Sequence, residues 1–288
     1  MSLDALARPS GGLAMVAMDQ RESLRSMIAA QRGGPVDDDT LIRFKLAVAR
    51  EVGRHASGFL IDREYGFRTV TEERLLPPDC GLILAADSLS YQDDGRVSDT
   101  VIDRVIDPGE ARSRGAAALK LLVVWRNDGN ADRRIGMAAE FVRSCAAAGL
   151  MSVLEGVIRP APGENPDRLQ VDAARELGAL RPALYKTQMP RAGVGDPAEV
   201  ADVCTRITNA MPVPWVVLSQ GVSIADFPRT VELACRSGAS GFLAGRAIWS
   251  DTVGAADPVP LLRERSVARL YWLAELVDKH ARPWQEAG

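Results

Sequence analysis

The chain has 288 residues, 47% hydrophobic and 25% charged, with a formal net charge of −3. Such a composition suits one large globular unit and gives no stretch apolar and long enough to span a bilayer. It also lacks the basic face on which a nucleic-acid binder relies, so neither membrane nor nucleic acid is an expected partner.

In chain order, short apolar runs alternate with longer amphipathic segments. The runs are LAMVAMD (13–19), SGFLID (57–62), CGLILAAD (80–87), AAALKLLVVW (116–125), LMSVLEGVIR (150–159), ALYKTQM (183–189), WVVLSQG (215–221) and SGFLAGRAIW (240–249). Each has the length and apolar density of a buried strand. Helices are expected between them at 41–55, 131–149, 167–180, 198–211 and 227–240, the last capped by Ser223 or Asp226, with Gly149 and Gly238 as stops. Eight such units predict a single-domain α/β fold over 1–288, a closed (β/α)8 TIM barrel. An open doubly wound sheet is the competing architecture, but no G-x-G-x-x-G follows the first run. The loops 159–167 and 191–197 each follow a strand, which places them on the catalytic face of a barrel.

Three expected strands carry a charge at mid-run: Lys120, Glu155 and Lys186. An unpaired buried ion costs several kcal/mol, roughly, so each needs a partner or a purpose. Alternation puts Lys186 on one face with Leu184 and Gln188, and Glu155 on one face with Val153 and Val157. If all three point inward they meet. Desolvation and a neighbouring ammonium both favour a neutral amine, and a neutral lysine attacks carbonyls to form a Schiff base while carboxylates carry protons. The plainer reading is a buried Lys120–Glu155 ion pair. Asp19 and Asp62, closing the first two runs, read either as members of the cluster or as caps of the loops that follow.

The last two runs end in small residues. Ser219, Gly221, Gly245 and Arg246 are candidates to hold a phosphate, since loops after strands seven and eight of a barrel commonly do so. Alternatively the glycines only make tight turns and Arg246 meets a surface carboxylate. With two histidines, His55 and His280, in expected helices, a multi-histidine metal site and a histidine-based triad lack material. No metal or other cofactor is expected. Four scattered cysteines without C-x-x-C spacing, and a start without a basic and then apolar leader, predict a cytoplasmic location.

The stretches AMDQRE, VIDRVIDP, ALKLLVVWRND, LEGVIRP, LYKTQMP, PWVVLSQGV and SGASGFLAGRAIW carry, in this order, a resemblance. The chain resembles the class I, Schiff-base aldolases that include tagatose-bisphosphate aldolase and, more closely, sulfofructosephosphate aldolase. The resemblance implies a (β/α)8 barrel that reversibly cleaves a ketose 1-phosphate to dihydroxyacetone phosphate and an aldehyde, and a small phosphorylated sugar as partner. It implies that Lys186 forms the Schiff base, with Lys120 and Glu155 beside it and Asp19 and Gln20 as the polar pair of the first strand. Ser219, Gly221, Gly245 and Arg246 match segments that hold phosphate. Where the family usually has Glu two residues after the lysine, this chain has Gln188. Arg126 and Arg159 match the sulfofructosephosphate type, either to meet a second anion such as a sulfonate or to pair with surface carboxylates. Barrels of this kind often associate, so a homo-oligomer is compatible with the reading. Two other functions fit the sequence: a sugar-phosphate-binding regulator with a degenerate site, and a barrel isomerase using Glu155 as base.

Overall fold

The structure, a computed structural model, describes residues 2–92 and 96–287. Eight parallel strands close into a barrel in the order β1-β10-β9-β8-β7-β6-β3-β2, and β4 and β5 form a separate two-stranded hairpin. The barrel strands are β1 (Leu13–Met18), β2 (Gly58–Asp62), β3 (Gly81–Ala85), β6 (Ala116–Trp125), β7 (Met151–Ile158), β8 (Leu184–Gln188), β9 (Trp215–Leu218) and β10 (Gly241–Ala244). The hairpin comprises β4 (Asp87–Tyr91) and β5 (Val97–Ile102), antiparallel, with Asp87 opposite Ile102.

The helices are α1 (Glu22–Arg32), α2 (Asp38–Glu51), α3 (Arg68–Glu72), α4 (Pro108–Ser113), α5 (Ala131–Ala147), α6 (Pro166–Gly178), α7 (Pro197–Ala210), α8 (Phe227–Arg236), α9 (Arg246–Trp249), α10 (Val259–Leu261) and α11 (Val267–His280). Their starts follow local chemistry. The carboxylates of Asp37, Asp107 and Asp196 accept from Thr40, Glu110 and Ala198 N–H, and proline opens α4, α6 and α7, where its missing donor is harmless. Asp226 stands at the start of α8 but accepts from Ser223 Oγ at 2.7 Å, so it shapes the loop instead of capping the helix. Gly149 and Gly238 do end the preceding helical segments, with φ of +70° and +104° that a side chain would resist.

Parallel strands covered on both faces explain why the runs are apolar throughout. One cluster fills the barrel: Leu13, Met15 and Ala17 of β1, Leu60, Ile83, Ala118, Val153, Leu184, Val216 and Leu243, with Leu3 and Leu6 closing its floor. The alternate residues, such as Val16, Ile61, Leu121, Leu154 and Tyr185, pack outward against the helices. Continuing the inward set toward the strand ends gives Asp19, Lys120, Glu155 and Lys186, and register places Glu155 directly beside Lys186. All eight apolar runs are barrel strands, with three boundary corrections, the first being that the run 215–221 is strand only to Leu218. The run 80–87 stops being barrel at Ala85, and its Asp87 belongs to the hairpin, which was not expected. The run 240–249 is strand only to Ala244, and Arg246 begins α9.

Candidate active site

The inward charges meet at the C-terminal end of the barrel. Lys186 Nζ donates to Glu155 Oε2 at 2.9 Å, and the same oxygen lies 3.1 Å from Lys120 Nζ. Lys120 Nζ also contacts Asp19 Oδ2 at 2.7 Å and Asp87 Oδ2 at 2.8 Å. Exposure of Lys120 is 1% and of Lys186 3%, so bulk water supplies neither with a solvation shell. The two lysines are thus placed differently: Lys120 is surrounded by three carboxylates, while Lys186 shares a single carboxylate with it.

That difference sets charge states. Burial opposes the charge on Lys120, but Asp19, Asp87 and Glu155 together outweigh it and hold the ammonium well above the ordinary lysine range. Burial likewise opposes ionisation of Asp19, yet Lys120, then Lys186 and Arg21, hold its carboxyl well below the usual carboxylate range. Both groups are fixed in their ionised forms near neutrality. Glu155, touching both lysines, stands between them.

Asp87 joins the hairpin to this cluster. Besides Lys120, it accepts from Leu122 N–H at 3.0 Å and from Arg21 at 3.3 Å. Arg21 Nε lies 3.0 Å from Glu64. Behind them, Lys45 of α2 forms a fully buried ion pair with Asp62 and donates to the Met18 carbonyl at 3.1 Å. Asp62 also accepts from Tyr65 N–H at 2.7 Å, so it is indeed a cap, and an ion-pair partner as well. Asp87, Arg21 and Lys45 were not read from the sequence as site residues. Asp87 carried the same signal as Asp19, a carboxylate closing an apolar run, and Lys45 is a cation within the apolar segment LIRFKLAVA.

A cavity of ≈ 160 Å³ opens above the cluster. It is lined by Asp19, Gln20, Lys120, Glu155 and Lys186, by Ser219, Gly245 and Arg246 at the β9 and β10 ends, and by Arg159 at the β7 end. Gly245 is required there, because a Cβ would come within 2.5 Å of the Ala17 carbonyl and 2.9 Å of Gln20 Nε2. Arg246 is half-buried; burial pulls its pKa down against the pull of Glu155 and Asp19, leaving a poorly solvated cation at the rim. Among the described residues it forms no ion pair.

Two expected site residues, Gly221 and Arg126, lie away from this cavity, and so does Gln188. Gly221 sits on an exposed turn with φ of +81°, next to Ala192 and outside the cavity lining. Its role is the turn. Arg126 lies in a different cavity, of ≈ 250 Å³, where its guanidinium donates to the Ser98 carbonyl of the hairpin at 2.8 Å. The hairpin, absent from the expected fold, takes that arginine for its own backbone. Gln188 shares the parity of Lys186, but its Oε1 accepts from Ile158 N–H at 2.9 Å and the residue does not line the cavity. It closes the end of β7.

Among the described residues no cluster of His, Cys, Asp and Glu has the form of a metal site, and no helix is long and apolar enough to cross a membrane. The four cysteines are buried, and burial pushes each thiol up to about 12. None is a nucleophile at neutral pH.

The chain is similar to known proteins in sequence and in fold. A family profile described as DeoC/LacD family aldolase matches residues 13–251. A tagatose 1,6-diphosphate aldolase of Listeria monocytogenes is 26% identical, the alignment covering 98% of this chain and 92% of that protein. Another of Lactococcus lactis is 25% identical, covering 99% and 97%. In fold, the chain is similar to an archaeal fructose 1,6-bisphosphate aldolase (TM-score 0.65, 18% identity, 96% and 98% covered). It is similar also to a fructose-bisphosphate aldolase of Slackia heliotrinireducens (TM-score 0.67, 16% identity, 96% and 88% covered).

Proposed function

Since the chain belongs to the DeoC/LacD family of aldolases, we propose that it reversibly cleaves a ketose 1-phosphate carrying a second anion at its far end, through a Schiff base on Lys186. The observation that carries this reading is the contact of Lys186 Nζ with Glu155 at 2.9 Å in a water-poor cavity. Lys186 Nζ adds to the C2 carbonyl, giving a carbinolamine. Glu155 delivers the proton with which the hydroxyl departs as water, leaving an iminium. The C3–C4 bond then breaks, its electron pair moving into the iminium to form an enamine, while the C4 hydroxyl gives its proton to the Glu155 carboxylate and becomes the aldehyde carbonyl. Protonation of the enamine at C3 and hydrolysis release dihydroxyacetone phosphate and regenerate the amine.

Charge states divide the remaining labour. Lys120 and Asp19 are held ionised, so they act by field and by orientation, and Glu155 is the group suited to carry protons. Arg246, with Ser219 and Gly245, would receive the C1 phosphate on the β9–β10 side of Lys186. Arg159, on the β7 side, would face the second anion. Tagatose 1,6-bisphosphate and sulfofructose 1-phosphate both have that plan, and the sequence resemblance favours the sulfonate.

Borohydride with dihydroxyacetone phosphate should attach the reduced adduct to Lys186, read by peptide mass spectrometry. Cleavage of sulfofructose 1-phosphate, tagatose bisphosphate and fructose bisphosphate, compared side by side, then ranks the substrates. Turnover without a trapped lysine would overturn the mechanism, and phosphate-competitive binding without cleavage of any of the three would overturn the reaction.

A further inference from the structure

The β4–β5 hairpin is an insertion between the third and fourth barrel strands, and its inner face looks into the cavity. Burial along β4 alternates: Asp87 buried, Ser88 exposed, Leu89 half-buried, Ser90 exposed, Tyr91 half-buried. One strand face therefore carries Asp87, Leu89 and Tyr91, spaced about 7 Å apart. Asp87, at the root, is bonded to Lys120 at 2.8 Å. Leu89, Tyr91, Arg96 and Val97 line the cavity above it.

The hairpin's position around the barrel is equally defined. Leu89 and Val97 pack on Leu122, Val124 and Val157, the apolar ends of β6 and β7. In the barrel order, β9 and β10 lie on one side of β8 and β7 and β6 on the other. With Lys186 at C2 and the C1 phosphate toward β9 and β10, the carbons beyond C3 extend toward β7, β6 and the hairpin. An isolated two-stranded ribbon is marginally stable, so this one needs fixing. Arg126 donates to Ser98 O at 2.8 Å, Arg159 to Val97 O at 3.4 Å, and Arg133 pairs with Asp99 at 3.0 Å, all on the return strand.

We infer that this hairpin is the selector for the aldehyde half of the substrate. Leu89 and Tyr91 form the wall against its carbons, and Arg96 joins Arg159 in facing a terminal anion, a phosphate or sulfonate. The inference rests on the Schiff-base reading above, and the two fail differently. The donor half contacts Lys186 and the β9–β10 end, so reactions of dihydroxyacetone phosphate alone bypass the hairpin.

The test runs the reaction in the condensation direction on the full-length protein, with dihydroxyacetone phosphate and either glyceraldehyde 3-phosphate or neutral glyceraldehyde. Arg96→Met is expected to lower the preference for the phosphorylated over the neutral aldehyde, as a ratio of kcat/KM values, by about tenfold or more. Leu89→Ala and Tyr91→Phe, mild changes on a half-exposed ribbon, should shift KM for both aldehydes more than kcat. Borohydride trapping of dihydroxyacetone phosphate should differ by less than about twofold from wild type, since a hydrogen bond to substrate is neither made nor lost there. Unaltered aldehyde ratios and KM values in all three variants, or trapping that falls in parallel with them, would overturn the inference while leaving the Schiff base intact. A wild-type protein that traps no adduct would remove both.

Discussion

Replacing Lys120 with methionine keeps most of the side-chain volume and removes one ammonium from the middle of three carboxylates. In the native protein that ammonium lies 2.7 Å from Asp19, 2.8 Å from Asp87 and 3.1 Å from Glu155. After the change, Asp87 keeps Arg21 at 3.3 Å and Glu155 keeps Lys186 at 2.9 Å, whereas Asp19 loses its contact cation. Stranding one partner of a buried pair costs about 3–5 kcal/mol, a large share of the ~5–15 kcal/mol that holds a typical domain. The thermal midpoint at pH 7.5 should fall by about 6–10 °C. The pH dependence gives the argument its sign. In wild type, the Asp19 carboxyl is depressed, which contributes stability above the unfolded value near ~3.9 that is lost only on acidification. The Lys120 ammonium is raised, contributing stability that is lost only as pH climbs through its folded value. Between about pH 5 and 9 both contributions are flat. In Lys120→Met, Asp19 keeps only the pull of Lys186 and Arg21 against its burial, so its carboxyl rises from its wild-type position; where burial then prevails, folding takes up a proton and the variant is relatively more stable in acid. The deficit against wild type, measured by urea unfolding at pH 8 and pH 5, should therefore narrow at pH 5. A deficit below about 1 kcal/mol, or one independent of pH, would refute the charge assignment.

Other outcomes follow from the same geometry. Glu155→Gln preserves shape and hydrogen bonding but cannot carry a proton, so steady-state kinetics should show kcat down by roughly 10²–10⁴ with KM within a few-fold. Gln188→Glu retains the acceptor for Ile158 N–H and lies off the cavity, so cleavage rates should change by less than about tenfold, within the range of a displaced hydrogen bond; a hundredfold gain would place position 188 in the chemistry. Arg246→Met should raise KM for the phosphorylated ketose by about 10–100-fold, the loss of one charge-assisted contact, and weaken inhibition by inorganic phosphate to a similar extent.

How much was legible depended on whether the signal was local. The barrel was readable because each strand is buried on both faces, which writes an unbroken apolar run into the sequence, and an inward ion then stands out against it, as Lys120, Glu155 and Lys186 do. Parity along a strand gave their common direction. The hairpin left a weaker trace. Its strands, DSLSY and VSDTVI, are half solvated and rich in serine and aspartate, so they resemble a loop until paired with each other. Its absence from the sequence reading had consequences downstream: Asp87 reads as the tail of β3, and the hairpin carbonyl that Arg126 meets has no counterpart in either reading of that arginine. Lys45 was hidden for a different reason. It sits on a helix, and a single cation in an amphipathic segment reads as its polar face unless the facing Asp62 is known. Gln188 shows the limit of parity itself, since direction along the strand does not say whether a side chain reaches the cavity or turns to the neighbouring backbone.

The Lys45–Asp62 pair ties helix α2 to the end of β2, and its third contact, the Met18 carbonyl, ties it to β1. Neither charge is exposed once the pair is closed. Each would lie dry and alone if α2 docked before β1 and β2 were side by side, or if the strands paired and were covered by some other segment. The pair therefore makes a half-assembled first β-α-β unit costly and couples helix docking to strand pairing in time as well as in space. In folding kinetics, Lys45→Met with Asp62→Asn should lift that coupling, exposing a populated intermediate as curvature in the refolding limb, where Lys45→Met alone mainly accelerates unfolding. A refolding limb that stays linear in the double variant would mean that the two events are joined by apolar packing alone.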